Sequence, residues 1–252
     1  MENSTSIFYD SFAEDYHLIF ADWDAAIHRQ AAVIDTLISN KLDHKPLRIL
    51  DVSCGIGTQA LGLAGRGSIV IACDISEQSI NRAKHEAENR NLNIDFKIDD
   101  MCKLGNISGT DFDVIIAFDN TLPHLQSGAE LHRAAKAALN KLRPGGLYLA
   151  SIRDYADILI ERPTSTEPRV LGEENQQRTI WQEWRWHDDR RYTVEQVISM
   201  KTQEKRFKGE YRAFSMDELT NAFEQTGFKS PSWHLPSDTG FYQPIVIAEK
   251  PT

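Results

Sequence analysis

The sequence predicts an α/β fold: a doubly wound, Rossmann-like sheet with N-terminal helices and an antiparallel β insert. Three observations predict it. A short apolar run from Leu47 to Val52 breaks into a turn with glycines at 55 and 57, and a helix-compatible segment, Thr58 to Ala64, follows at once. A second apolar run, Ser68 to Cys73, ends at an acid, Asp74. Strand-like and helix-like segments then alternate as far as Ile152, the pattern of a parallel sheet with right-handed crossovers.

Taken in order, Ile7 to Leu42 mixes aromatics and charges and predicts two or so helices. In the second of these, Ile27, Ala31, Ile34, Leu37 and Ile38 recur near helical spacing. Asp43 to Pro46 reads as a turn into the first strand. Ser76 can cap a helix over Glu77 to Arg90, after which Ile94–Ile98 and Phe112–Phe118 read as strands. Ala129–Leu142 reads as a helix that stops at Arg143-Pro-Gly-Gly146, a predicted helix-to-strand turn before the strand Leu147–Ile152. Beyond Arg153 the rhythm changes. Ile180–Trp186, Tyr192–Lys201 and Glu204–Phe214 look extended and amphipathic, as antiparallel strands of an insert would. Ser215 and Gly227 bracket a helix over Met216–Thr226, and Phe241 to Glu249 returns as a last strand. One domain spanning 1–252 is the expectation, with a helical cap over about 1–45 and the insert over about 156–214.

With 252 residues and 41 % hydrophobic side chains, the chain can bury one sizeable core. A net charge of -9 argues against a phosphate-neutralising nucleic-acid surface. Cys54, Cys73 and Cys102 are widely spaced and odd in number, so they read as small hydrophobes, not as a disulfide framework or a zinc site. No secretory segment opens the chain and no apolar run is long enough to span a membrane. A cytoplasmic protein, monomeric or homo-oligomeric, with a small-molecule substrate and no nucleic-acid or membrane partner, is the expectation.

The glycine turn brings backbone N–H groups at a helix N-terminus against a ligand, and Asp74 can accept hydrogen bonds from both hydroxyls of a ribose. A dinucleotide site needs G-x-G-x-x-G, but its third position is Ala60, and Asp51 and Ser53 precede the glycines. A carboxylate at Asp51 repels a pyrophosphate and suits a cationic ligand. Asp99-Asp100-Met101 lies just past the third strand, where it can meet a ligand; a plain solvated loop is the alternative. Phe118-Asp119-Asn120 ends the fourth strand at the sheet's ligand-binding edge, and His124 beyond it is either a base or a core or capping histidine. At the fifth strand's end Arg153 offers a fork that matches a carboxylate, unless it pairs with Asp154 or Asp157. Tyr16, Trp23, Trp184, Trp186, Tyr211 and Tyr242 are candidate cavity walls, Tyr242-Gln-Pro244 lying beside the active edge.

The run Asp51-Val-Ser-Cys-Gly-Ile-Gly-Thr58 resembles motif I of class I S-adenosylmethionine (SAM) methyltransferases. With Asp119-Asn-Thr-Leu-Pro-His124 and Arg153-Asp-Tyr155, the chain resembles the glycine and glycine/sarcosine N-methyltransferases from about Tyr9 onward, most strongly over Ile49 to Tyr155. The resemblance implies a seven-stranded sheet and SAM as cofactor, with no metal. It also implies that Asn120 and Arg153 hold an amino-acid carboxylate while Arg29 reaches the carboxylate of SAM. The cofactor set it implies is Trp23, Arg29, Asp51, Ser53, Gly55, Gly57, Thr58, Asp74, Ile75, Asp100, Met101, Phe118, Asp119 and His124; Asn120, Arg153 and Tyr242 form the catalytic set. Three alternatives stay open: methylation of another small molecule at nitrogen, oxygen or carbon; a non-catalytic SAM-binding module; and a nucleic-acid methyltransferase, disfavoured because Asp119-Asn-Thr-Leu lacks the pattern that stacks a flipped base.

Overall fold

The computed structural model describes residues 4–173 and 177–252. The chain opens with helices α1 (Ser4–Phe12) and α2 (Trp23–Ser39), then alternates β1 (Arg48–Asp51), α3 (Thr58–Gly65), β2 (Ile69–Asp74), α4 (Glu77–Asn89), β3 (Ile94–Ile98), β4 (Phe112–Ala117), α5 (Gly128–Lys141) and β5 (Leu142–Ser151). It continues through α6 (Ala156–Glu161), β6 (Arg169–Leu171), β7 (Arg178–Trp186), β8 (Arg191–Met200), β9 (Gln203–Arg212), α7 (Met216–Thr226), β10 (Lys229–His234), α8 (Pro236–Thr239) and β11 (Ile245–Glu249).

Seven strands form one sheet in the order β10-β11-β5-β4-β1-β2-β3. Neighbours from β5 to β3 run parallel, and β11 runs antiparallel to both β5 and β10. Strand order reverses between β1 and β4, so a cleft opens at their carboxyl ends, the ligand-binding place in doubly wound sheets. Side chains alternate across the pleat. Ile49, Val114, Ile116 and Leu149 pack against α2, α3 and α4, whereas Leu50, Ile115, Ala117 and Tyr148 pack against α5 and α7. Both faces are therefore apolar, as a parallel sheet covered on two sides requires.

The second sheet runs β6-β7-β8-β9, all antiparallel. Helix α1 lies on it through Phe8 and Phe12, which join Ile180, Ile198 and Phe207 in a separate cluster. Phe12 stacks on Phe207 at 4.3 Å. A Cβ at position 209 would stand 3.1 Å from the Phe8 ring, so a glycine there lets the helix seat. The insert and α1 together roof the cleft.

Ser76 caps α4 by accepting from Ser79 N at 3.0 Å, and Gly227 ends α7 at φ +109°, as expected. Three expectations need correction. Arg143-Pro-Gly-Gly146 is not a turn before the strand but lies within β5, whose pairing with β4 shifts register there; Gly145 at φ +69° absorbs the irregularity. The last strand begins at Ile245, not Phe241. Strands β6 and β10 and helices α6 and α8 were not predicted, because each is short and only β10 carries even a fragment of alternation.

Candidate functional site

The glycine turn follows β1 directly. Gly55 and Gly57 have φ of +53° and +99°, and a Cβ added at Gly55 would meet open space. Asp74, at the end of β2, accepts from Gly55 N at 2.8 Å and from Ser76 N at 2.9 Å. One carboxylate thus fixes both the turn and the start of α4. Asp51 is 1 % exposed. Its Oδ1 accepts from Ser53 N at 3.2 Å, while Oδ2 and the buried Ser53 Oγ have no partner among the described residues. Burial, aided by the Asp74 and Asp119 charges, pushes Asp51 up to about 8. Unsatisfied buried acceptors are costly; Ser53 borders the groove beside an open glycine, and Asp51 is buried against it. A ligand bearing an ammonium group and hydroxyls fits this donor deficit; a phosphate does not.

On the α4 side lies a cavity of about 360 Å³, lined in part by Ser53, Asp74, Ile75, Asp100 and Met101 and roofed by Ser4, Thr5 and Tyr9 of α1. A narrower cavity, about 30 Å³, continues along Gly55, Thr58, Gln59, Phe118 and Asp119. Asp99 closes its own loop by accepting from Asp100 N and Asn106 N. Asp100 accepts from Cys102 N at 2.9 Å and meets Lys103 at 3.2 Å. Asp10 holds α1 in place, accepting from Ser76 Oγ at 2.7 Å and Gln78 N at 3.0 Å.

His124 lines the same cavity. Its Nδ1 lies 3.2 Å from the Glu210 carbonyl and must carry the proton, which leaves Nε2 to accept from the Tyr9 hydroxyl at 2.8 Å. Burial drives it down to about 4, so the ring is neutral and both nitrogens are committed. It ties α1, the loop after β4 and β9 together.

Asp119 and Asn120 both adopt positive φ, +58° and +63°, which turns their side chains out of the strand in different directions. Asp119 accepts from the Tyr242 hydroxyl at 2.6 Å and from Gln59 Nε2 at 2.8 Å; burial raises its carboxyl above the usual range. Asn120 Oδ1 accepts from Arg153 N at 2.9 Å. A backbone N–H fixes that atom as the oxygen, so Nδ2 donates to Tyr155 Oη at 3.2 Å. Tyr155 Oη and Tyr192 Oη share a hydrogen bond at 2.6 Å in which either hydroxyl can donate, and Tyr192 borders the adjoining chamber. Tyr192 stacks on Trp184 at 4.9 Å, and Trp184 carries the Arg153 guanidinium at 4.7 Å. The ring of contacts closes on the arginine where it began.

That chamber, about 160 Å³, is lined by Asp119, Asn120, Arg153 and Tyr192 and by the rings of Tyr9, Tyr16, Tyr211 and Tyr242. Arg153 donates to Gln182 Oε1 at 3.1 Å and makes no ion pair among the described residues, with neither Asp154 nor Asp157. A vestibule of about 580 Å³ adjoins it. Tyr242 borders both, and that junction explains why the residue is 59 % exposed although its hydroxyl is enclosed.

Other expected site residues lie elsewhere. Trp23 donates to Thr58 Oγ1 at 2.9 Å and sits under Arg82 and Arg90, clamping α2 to α3. Gly57 packs against Leu61. Arg29 is exposed and borders a separate cavity of about 380 Å³ that meets Tyr16 and Tyr242. Tyr16, Tyr211 and Tyr242 wall the chamber, whereas Trp184 backs it and Trp186 bonds to the Pro163 carbonyl at 3.1 Å. Sequence reasoning missed Gln59, Gln182 and Tyr192. The period of two in Tyr192-Thr-Val-Glu-Gln196 marks one face of β8, but which face looks inward depends on the sheet's docking. Among the described residues no group of three or more His, Cys, Asp or Glu is arranged to hold a metal ion.

The profile of a methyltransferase domain matches residues 49–146. The ubiquinone biosynthesis O-methyltransferase of Methylocella silvestris is 36 % identical over 202 residues, 77 % of this chain and 67 % of that one. A glycine N-methyltransferase of Mus musculus is 30 % identical over 161 residues, covering 56 % and 55 % of the two chains. First-ranking curated relatives are spanned over only 42 to 67 % of their own length. The CcbJ methyltransferase of Streptomyces caelestis shares the fold over 100 % of both chains, with a TM-score of 0.77 at 17 % identity. With the glycine turn, the strand order and the cation-seeking groove in place, the chain belongs to the class I SAM-dependent methyltransferases.

Proposed function

We propose that the protein methylates the amine of a small carboxylate-bearing acceptor, glycine, sarcosine or a similar amino acid. The observation that carries this is the unpaired Arg153 guanidinium in a small chamber next to the Gly55 groove. When bound, SAM supplies a methyl carbon on a sulfonium; the amine lone pair forms the N–C bond, the C–S electrons go to sulfur, and one proton leaves nitrogen. Asp51 and Ser53 would take the cofactor's ammonium, Asp74 the ribose hydroxyls, and Asp100 and Met101 the base. Arg153 grips the acceptor's carboxylate, with Tyr192 on the chamber wall beside it. Asn120 acts on Arg153 by holding its backbone, and Tyr242 fixes Asp119 between the two cavities. Holding nitrogen and methyl in line at roughly 3 Å can supply up to about 7–11 kcal/mol.

An amine acceptor suits the protonation states. His124 has both nitrogens engaged and is not free to deprotonate a hydroxyl, whereas an amine needs only its neutral fraction. Methylation of a larger hydroxylated acceptor is the second reading, favoured by the 580 Å³ vestibule and the O-methyltransferase relative. Three free cysteines fit a reducing, cytoplasmic setting. The seating of α1 on the insert supports one folding unit for cap, sheet and insert. Incubating the protein with SAM and a panel of small amines, and weighing the products, tests the reading: glycine or a close relative gains a methyl group. Methyl transfer only to acceptors without a carboxylate overturns it.

A further inference from the structure

Arg169 lies on β6, a three-residue edge strand paired only with β7. Side chains two apart share a face, and Leu171 on that face packs towards the α1 cluster while Val170 points to solvent at 58 % exposure. The arginine is thereby turned to the cleft. It borders the acceptor chamber, the vestibule and the cavity of Arg29 together. Among the described residues it makes no hydrogen bond or ion pair. Within the chamber two guanidinium groups, Arg153 and Arg169, face one carboxylate, Asp119, and both oxygens of that carboxylate already accept from Tyr242 and Gln59. Asp154 and Glu167 border the vestibule but not the chamber. An anionic group fills such a deficit, since charge-assisted pairing to a guanidinium fork is strong and directional. The chamber's 160 Å³ is also several times the ~30 Å³ that one water occupies, more room than a single carboxylate beside Arg153 uses.

We propose that Arg169 is a second anion subsite of the acceptor chamber, so that the preferred acceptor is a small amine carrying two acidic groups. Arg153 takes one carboxylate and Arg169 the other, and the amine between them is presented to the Gly55 groove. This rests on the acceptor reading above and narrows it. The test is calorimetric titration of glycine, aspartate, iminodiacetate and methylamine into the full chain loaded with S-adenosylhomocysteine, for the wild type, Arg169→Gln and Arg169→Lys. The wild type is expected to bind aspartate or iminodiacetate at least tenfold more tightly than glycine. That ratio should fall at least tenfold in Arg169→Gln and take an intermediate value in Arg169→Lys, which keeps the charge without the fork. A ratio preserved in both variants overturns the proposal, as does a loss confined to S-adenosylhomocysteine affinity, which would give Arg169 to the cofactor's carboxylate. If methylamine binds as well as glycine, the acceptor reading fails first, and that result is distinct from a preserved ratio.

Discussion

Around Gly55 the cleft is made of strand ends and backbone, and the polar atoms without a partner among the described residues are Asp51 Oδ2 and Ser53 Oγ, which can accept from a cation. Around Arg153 it is made of side chains from α1, from β6 to β9 and from the loops after β4 and β5, and what is left over there is a donor, the guanidinium. One half therefore draws a cation and the other an anion. The contrast gives the cleft a direction, with the methyl donor's positive charge on the side of the acids and the acceptor's carboxylate on the side of the arginine. It also separates two kinds of construction. The acid half is fixed by the fold, whereas the basic half depends on an insert docking correctly over the sheet.

If the halves are distinct, substitutions should split by ligand. The largest effect is expected from Arg153→Lys, which removes the fork, the Gln182 bond and the stack on Trp184. Loss of a partner for a desolvated charge costs about 2 kcal/mol or more, so the Michaelis constant for the acceptor should rise about 30-fold or more while that for SAM barely moves. Steady-state kinetics with each substrate varied reads this directly; an equal rise in both would erase the boundary.

Asp51→Asn comes next and acts on the other half. Cofactor affinity, followed by calorimetry, should fall by about 1–3 kcal/mol, with acceptor binding less affected. The pH dependence has a definite sign. Asp51 sits at about 8 in the folded chain against 3.8 for a free carboxyl, so the native state holds a proton that the unfolded state has released. Its contribution to stability is present below the ordinary value and lost as pH rises through about 8. The ligand-free wild type should thus lose thermal stability between pH 3.8 and about 8 relative to Asp51→Asn, with little further change above that. At pH 7, cofactor binding to the wild type should release a proton, and titrations in buffers of different ionisation heat detect it.

Smaller is the effect of Tyr9→Phe, which leaves His124 Nε2 without a donor at a cost of about 1–3 kcal/mol. Faster hydrogen exchange across Ser4–Phe12 and a lower melting temperature should report it. His124 lies at about 4 against 6.5 unperturbed, so the unfolded state binds the extra proton, and the histidine's contribution is lost as pH falls from 6.5 through 4. Smallest is Tyr242→Phe, because solvent in the adjoining cavities can replace its bond to Asp119; a change in kcat/KM below about fivefold, roughly 1 kcal/mol, is expected.

The same division governs what the sequence reveals. Strands β1 to β5 and the glycine turn are legible because buried parallel strands read as continuous apolar runs and because positive φ calls for glycine. Asp51, Ser53 and Asp74 are legible from position alone, since a strand's last residues face the cleft whatever else the chain does. The chamber is less so. Arg153 and Asn120 stand at strand ends and were found, but Tyr192, Gln182 and Arg169 lie on an insert whose inward face is set by docking against α1. Asn120 illustrates a further limit: its type and place suggested contact with a ligand, while its partners, Arg153 N and Tyr155, show that it braces the loop. Edge strand β6 carries no readable periodicity in three residues.

Calorimetric titration of glycine and of methylamine into the chain loaded with S-adenosylhomocysteine probes the anion-seeking half most directly. Saturable binding of glycine, with none detectable for methylamine and none for glycine in Arg153→Ala, is the predicted result. Equal binding of the two amines, or undiminished binding of glycine without the guanidinium, would contradict the assignment of the chamber.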